Sequence, residues 1–365
     1  MTEPTLTAGV LGLGSAGHLL LEAARRTGQF LIKAVADQDP QQAERTAAEL
    51  QAEPYTDYRQ MVVQNQLDCL LVAADTHLCD EHLKTAIRKK FHVLKLAPPA
   101  RNYEETLEYV QMAEYEKVRF AIANPARFRS SYSTAHDLIV RGQVKGAFLV
   151  TAYSETPDAD RPAWHADPRL AGGGVLLHDC HQIVDQILWN FSLPQQVYVL
   201  TTNQAPDKQQ RLYLTEDTAV VSMKFTDALT ASIVATRRSG QGPTRRGLQI
   251  YAKEARLTIT DNRVILNTDS GLEDQVWQFE ETELDTMQRL LSSFAQSVRN
   301  PAEHPLISSA AENLRNMAVF ESAYLSARTG FPEEPLRILQ ITRNTPGATG
   351  LSGPNIAAYI RDTAL

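Results

Sequence analysis

Residues 12–17 read Gly12-Leu13-Gly14-Ser15-Ala16-Gly17. They stand where an apolar run, Thr5–Leu13, gives way to a helical pattern through Leu19, Leu20, Leu21 and Ala24. Strand, glycines, then helix is the context in which a Gly-x-Gly-x-x-Gly match carries physical meaning. Gly12 permits the tight turn, Gly14 lets backbone N–H groups approach a pyrophosphate, and Gly17 lets the helix pack on the strand. The helix N-terminus, with Ser15 and Ala16, offers partial positive charge to the anion. The plain alternative is a glycine-rich turn without a ligand. The second apolar run, Leu31–Ala36, ends at Asp37, 20 residues after Gly17. An acid there accepts hydrogen bonds from ribose hydroxyls and repels a 2′-phosphate, unless Asp37 is a turn residue only. Gln38, Asp39 and Pro40 bring no base, so NAD rather than NADP is the expected cofactor.

Outward from this loop, strand and helix patterns alternate. Leu67–Ala74 is nearly continuous in apolar residues, as a strand buried on both faces should be. Glu81–Lys90 is amphipathic, Phe91–Leu96 reads as strand, Glu104–Glu116 as helix and Val118–Ala123 as strand. Repeated βα units predict an α/β fold opening with a doubly wound parallel sheet. Its ligand crevice lies at the carboxyl ends of the strands, so Ala74, Asp75, His77 and Pro98 join the expected cofactor contacts.

The chain has 365 residues, which suits two domains. A net charge of −7 argues against nucleic-acid or membrane-surface partners. The clusters Lys84–Lys90 and Arg237–Arg246 read as solvated faces and loops. Three cysteines, Cys69, Cys79 and Cys180, fit reduced thiols of a cytoplasmic protein better than a disulfide framework. The amino-terminal residues do not resemble a signal peptide, and no apolar stretch approaches the ~18 residues of a membrane span.

Seven stretches in register resemble the glucose–fructose oxidoreductase, inositol dehydrogenase and rhizopine-catabolism (Gfo/Idh/MocA) family. They are residues 12–17; Ala73-Ala74-Asp75-Thr76-His77-Leu78; Phe91-His92-Val93-Leu94; Asn124-Pro125-Ala126-Arg127-Phe128; Gly172 to Leu177; Glu216-Asp217; and Ser326 to Gly330. The resemblance implies an NAD-dependent oxidoreductase acting on a sugar, polyol or similar hydroxy compound. It implies domains at 1–124 (NAD-binding Rossmann) and 125–340 (α+β), and a homo-oligomer paired through the second domain's sheet. Arg127, Tyr153, Trp164 and Gln182 would line the substrate pocket, with Glu155 and His165 nearby.

The second domain reads the same way from its residues. Helices are expected at Tyr132–Arg141 and Val175–Trp189, the latter with a stripe of Leu176, Ile183, Ile187 and Leu188. A strand is expected at Gly146–Ser154. Alternation through Val221, Met223 and Phe225 marks an open, largely antiparallel sheet covered on one side by helices. The helix at Ser308–Arg328 is expected to pack back onto the first domain. Residues 341–365 read as an irregular tail.

The family's chemical positions are altered here. Its Glu-Lys-Pro corner falls on Leu96-Ala97-Pro98, so the proton-transfer lysine position holds Ala97. Its Asp and His positions hold His178 and Gln182, while Asp185 matches. Lys95 lies two residues back, ~6.6 Å along an extended chain, and is one substitute. His178 is another, as an imidazole suited to general acid/base work near neutral pH. A continuous helix would place His178 on one face with His181, Gln182 and Asp185, with an Asp185–His181 pair orienting the relay. Both histidines could instead be satisfied polar residues. A metal reading on His178, His181 and Asp185, with Cys180 as a further candidate, has no evident fourth ligand, so no metal is expected. Three functions follow: an oxidoreductase with a rebuilt acid/base group, an NAD(H)-binding protein that has lost its chemistry, and an enzyme using tightly held NAD for transient oxidation.

Overall fold

Six short strands, all but the edge strand β3 rich in aliphatic residues, build the first sheet: β1 (Leu6–Leu11), β2 (Phe30–Ala36), β3 (Glu53–Tyr55), β4 (Cys69–Val72), β5 (His92–Leu96) and β6 (Phe120–Ala123). They pair in the order β3-β2-β1-β4-β5-β6, every pair parallel. Helices α1 (Ser15–Thr27), α2 (Pro40–Leu50), α3 (Tyr58–Gln64), α4 (Asp80–Arg88) and α5 (Tyr103–Glu116) fill the crossovers. The strand order reverses beside β1, so the loops after β1 and β4 open side by side at the carboxyl edge. The computed structural model describes residues 4–157, 162–204, 214–226, 228–238, 242–268 and 273–341.

The second sheet has eight strands: β7 (Ala147–Pro157), β8 (Gln196–Thr202), β9 (Thr218–Thr226), β10 (Leu229–Arg238), β11 (Arg245–Ala252), β12 (Ala255–Thr260), β13 (Arg263–Thr268) and β14 (Gln275–Gln278). Its order is β14-β13-β12-β11-β7-β10-β9-β8, antiparallel except between β7 and β10. One face is buried by α6 (Ser130–Val140) and α8 (His181–Phe191), with the short α7 (Pro168–Ala171) between them in sequence. Val150, Ala152 and Ser154 of β7 point to that face, as do Val221, Met223 and Phe225 of β9.

The contacts group the chain into two units that do not follow it contiguously. One holds Met1–Ala100, Glu104–Phe128 and Thr282–Ala310; the other holds Arg101–Tyr103, Arg129–Glu281 and the chain from Ala311 on. The expected boundaries at 1–124 and 125–340 thus meet a crossing. Helix α9 (Glu283–Arg299) returns to the first unit and lays Met287, Leu290, Leu291 and Phe294 into its core beside Leu20, Leu71 and Leu94. Each such side chain stabilises by roughly 1.5–3 kcal/mol. Arg299 then ties the end of α9 to Gln29, donating to its side-chain oxygen at 2.7 Å and its carbonyl at 3.2 Å.

Three expectations are corrected. Helix α10 (Ala310–Thr329) groups from Ala311 on with the second unit, where Asn316, Phe320, Tyr324 and Ser326 supply partners to buried groups, while its lead-in at Ser308 bonds Ile122 and Asn124 of the first. The helix expected over Val175–Trp189 is broken: Val175–Asp179 form a wide π turn, closed by Cys180 N–H to the Val175 carbonyl at 3.0 Å, and α8 starts at His181. Arg237 is no solvated residue, since strand alternation sends its side chain inward to 1% exposure against Asp179 at 3.4 Å. A short α11 (Pro335–Ile341) ends the described chain, and the tail expected over 341–365 lies outside the described residues beyond Ile341.

Candidate functional site

In the first unit the glycines have separable tasks. Gly12 has φ +85°, and a Cβ there would come 2.5 Å from the Ala74 nitrogen, so loop and sheet close only around glycine. A Cβ on Gly17 would overlap the Gly12 carbonyl oxygen. Gly14 differs: a Cβ there would meet nothing within 4 Å. It is the N-cap of α1, and no side chain caps that helix end. The exposed Gly14, Ser15 and Ala16 therefore leave first-turn N–H groups open to an anion.

Asp37, at the end of β2, braces this loop. One carboxylate oxygen accepts the Leu13 N–H at 2.7 Å and the other the Asp39 N–H at 2.9 Å. Its turn role and a ribose role are compatible, because each oxygen has a second lone pair. After β4, Asp75 precedes a 3₁₀ turn over Thr76–Leu78 that carries the half-buried His77. Cys79, to which sequence reading gave no part, fastens this loop: its thiol donates to the carbonyls of Ala74 at 3.4 Å and Asp75 at 3.1 Å. Burial pushes that thiol up to about 11, so it stays protonated and a donor at neutral pH.

Lys95 is 2% exposed in β5, and its Nζ donates to the Pro98 carbonyl at 2.7 Å and the Leu96 carbonyl at 3.2 Å. The amino group thus serves the Ala97–Pro98 corner itself. Burial holds its pKa below the usual lysine value. Arg127, expected at the opening of the second domain, is buried in a 3₁₀ segment Pro125–Phe128 of the first unit.

The second unit gathers a different subset. His178 rides on the π turn and sits at right angles to His165, ring centroids 4.9 Å apart, and edge-on to Trp164 at 5.6 Å. Trp164 and His165 stack at 3.7 Å. His178 Nε2 lies 2.9 Å from the Ala171 carbonyl, which only accepts, so in the neutral ring Nε2 carries the proton and Nδ1 the lone pair. That tautomer makes Nδ1 the basic atom.

The other expected partners have contacts of their own. His181 is buried against Phe320, centroids 5.4 Å apart. Asp185, one turn on, accepts from Asn316 Nδ2 at 2.9 Å. Gln182 is half-buried on α8. Tyr153 alternates with buried Ala152 and Ser154, so it lies on the sheet face away from the π turn, over Gly247. Ser154 instead bonds the Asp179 carbonyl at 3.2 Å. Sequence reading missed Asn316, Tyr324, Asp179 and Arg237, and gave no role to Glu216; only the Glu216-Asp217 pair offered any signal. Among the described residues no cluster of His, Cys, Asp and Glu could hold a metal ion, and no helix is long and apolar enough to cross a membrane.

A dinucleotide-binding unit and an open-sheet unit in one chain define a class, the two-domain nicotinamide-dependent oxidoreductases. The chain belongs to the Gfo/Idh/MocA family: residues 6–124 match its description as an oxidoreductase family with an NAD-binding Rossmann fold, and residues 132–258 match its C-terminal domain. It is similar to the uncharacterized oxidoreductase YrbE of Bacillus subtilis, 20% identical over 91% of this chain and 97% of that one. It is 25% identical to the 2,7-anhydro-N-acetylneuraminate hydratase of Escherichia coli, over 48% of this chain and 47% of the relative. Among solved structures, a levoglucosan dehydrogenase in complex with NADH and levoglucosan superposes with TM-score 0.83 at 15% identity, covering 91% of this chain and 99% of that one.

Proposed function

We propose that this NAD-binding oxidoreductase acts on a CH–OH group, or the matching carbonyl, of a sugar, polyol or related small compound, with His178 as its acid/base group. The observation that carries the reading is His178 itself, set beside Trp164 and His165 with its Nε2 2.9 Å from the Ala171 carbonyl. With Nε2–H given to the Ala171 carbonyl, a neutral His178 carries its lone pair on Nδ1, the atom assigned here to take a hydroxyl proton in oxidation and return it in reduction. The open cradle at Gly14 fits a pyrophosphate, and the Asp37 carboxylate fits an adenosine ribose. Ala74, Asp75, His77 and Pro98, at the same strand ends, complete the proposed cofactor contacts. NAD, when bound, supplies the two-electron acceptor.

The protein's own side chains do the rest. Trp164 offers an aromatic plane for the face of a sugar, stiffened by its stack on His165. Gln182 supplies both a donor and an acceptor for hydroxyls. Arg127, Asp185 and His181 act as supporting groups, and Lys95 holds the corner. The uncovered face of the second sheet carries a cross-strand row of Leu200, Val220 and Val234, each more than two-fifths exposed, which supports a homo-oligomer built on that face.

A second reading, an NAD(H)-binding protein without turnover, draws on Ala97 and on the engagement of Lys95 with the corner carbonyls. The similarity to a hydratase supports a third, in which product and substrate share one oxidation level. A spectrophotometric screen of sugars, inositols, amino sugars and their keto forms with NAD and NADH separates them. Turnover with net cofactor reduction supports the first. NADH binding without any turnover supports the second, and product at the substrate's oxidation level with NAD retained supports the third.

A further inference from the structure

The turn that carries His178 has no side-chain cap of its own, yet three consecutive backbone N–H groups at its start are all satisfied by one residue 40 to 42 positions away. Gly174 N–H donates to Glu216 Oε2 at 2.8 Å, Val175 N–H to the Glu216 carbonyl at 3.0 Å, and Leu176 N–H to Glu216 Oε1 at 3.0 Å. Tyr324 Oη–H donates to Oε1 as well, at 3.0 Å. The approach is so close that a Cβ on Gly174 would overlap the Glu216 carbonyl oxygen, and one on Gly173 would overlap the Tyr324 hydroxyl. The turn then continues directly, with His178 N–H bonded to the Gly174 carbonyl at 3.1 Å. The carboxylate fills the place an external anion takes at other helix starts.

We infer that Glu216 is the positioning residue of the site: its carboxylate and its own carbonyl fix the backbone from which His178 projects. This rests on the reading of His178 as the acid/base group for its catalytic consequence, but not for its structural one. The argument is one of donors and acceptors. Both carboxylate oxygens receive N–H groups, whereas a glutamine has one accepting oxygen and an NH₂ that would face a backbone donor. Glu216→Gln therefore leaves one amide of the turn unpaired and lets the turn shift. Displacing a reacting group by about 1 Å costs on the order of 10²-fold in rate.

The test uses the full chain with ¹³C-labelled histidine, the His178 Cε1–H signal being identified by its loss in His178→Asn. In Glu216→Gln this signal is expected to move, while that of His136, which stacks on Trp189 near the far end of α8, stays in place. On the active enzyme, kcat is expected to fall on the order of 10²-fold with the affinity for NADH unchanged. An unmoved His178 signal overturns the inference. Should Glu216→Gln fail to fold, Tyr324→Phe removes one donor from the same carboxylate. A moved His178 signal there supports the inference and an unmoved one overturns it. If His178→Asn keeps full activity, the acid/base reading fails by itself, and the spectrum still decides the role of Glu216.

Discussion

Gly14→Ala and Gly17→Ala differ by one methyl group at positions three residues apart, and the structure assigns them opposite consequences. At Gly14 the backbone has φ −63° and ψ −173°, which an alanine adopts, and the new Cβ meets no protein atom within 4 Å. Two small terms act on folding. Alanine is a poorer N-cap than glycine by roughly 0.5–1 kcal/mol, and it lowers unfolded-state entropy by about 0.4–1 kcal/mol in the stabilising direction. They nearly cancel, so the melting temperature should stay within about 4 °C of the parent. Binding should suffer, because the methyl occupies the space through which the α1 amides reach a pyrophosphate. Losing one or two hydrogen bonds to a charged group, roughly 1.5–3 kcal/mol each, removes about 3 kcal/mol. That weakens NADH by roughly 100-fold. At Gly17 the Cβ overlaps the Gly12 carbonyl oxygen and lies 2.9 Å from its carbon, so backbone must move. Overpacking of this kind costs about 3 kcal/mol, or roughly 6–12 °C. The assay is a melting curve and an NADH fluorescence titration on each variant. Gly14→Ala that binds NADH as tightly as the parent, or melts as early as Gly17→Ala, refutes the separation.

Asp37→Ser removes the charge facing a 2′-phosphate, so the ratio of NADH to NADPH affinity should fall at least tenfold, read by paired titrations; an unchanged ratio contradicts the ribose role. Ala97→Lys should create no new dehydrogenase activity in the substrate screen, because His178 and Gln182 still stand where the family's Asp and His positions fall; gain of activity from that one change would show an otherwise intact relay. Lys95 has a folded pKa depressed by burial, so the native state holds its proton less tightly than the unfolded chain. Its contribution to stability is therefore full above the unfolded value near 10.4 and is lost as pH falls through the depressed folded value. Guanidinium unfolding of the parent and of Lys95→Met at several alkaline pH values should show the parent gaining relative to the variant as pH rises; a constant difference contradicts this.

What was legible in the sequence was what is local. The run into Gly12, the spacing to Asp37 and the continuous apolar stretches reported strands and turns whose causes lie within a few residues, and the parallel sheet followed from them. Helix α9 also carried a readable start, since Thr282 and Asp285 form a capping box ahead of Met287, Leu290, Leu291 and Phe294. Its destination was not readable, because nothing in an amphipathic stripe names the sheet it covers. The candidate site was harder for the same reason. The residues 175–189 have good helical periodicity, but their first part is a π turn whose leading amides, at residues 174–176, bond Glu216 from a distant loop. His178 rides on that turn, ahead of the helix that carries His181 and Asp185, and its ring meets Trp164 and His165. Arg237 was misjudged because a charged residue in a basic cluster looks solvated until strand alternation and its partner Asp179 are known.

The central claim is that His178 carries the proton in an NAD-linked oxidation, and the kcat of His178→Asn on the substrate found by the screen tests it most directly. Asparagine keeps a polar side chain but cannot exchange a proton near neutral pH. The account predicts a fall in kcat of about 10²–10⁴-fold, the usual worth of a general acid/base, with NADH affinity unaltered. A kcat within tenfold of the parent, at the same NADH affinity, would contradict it.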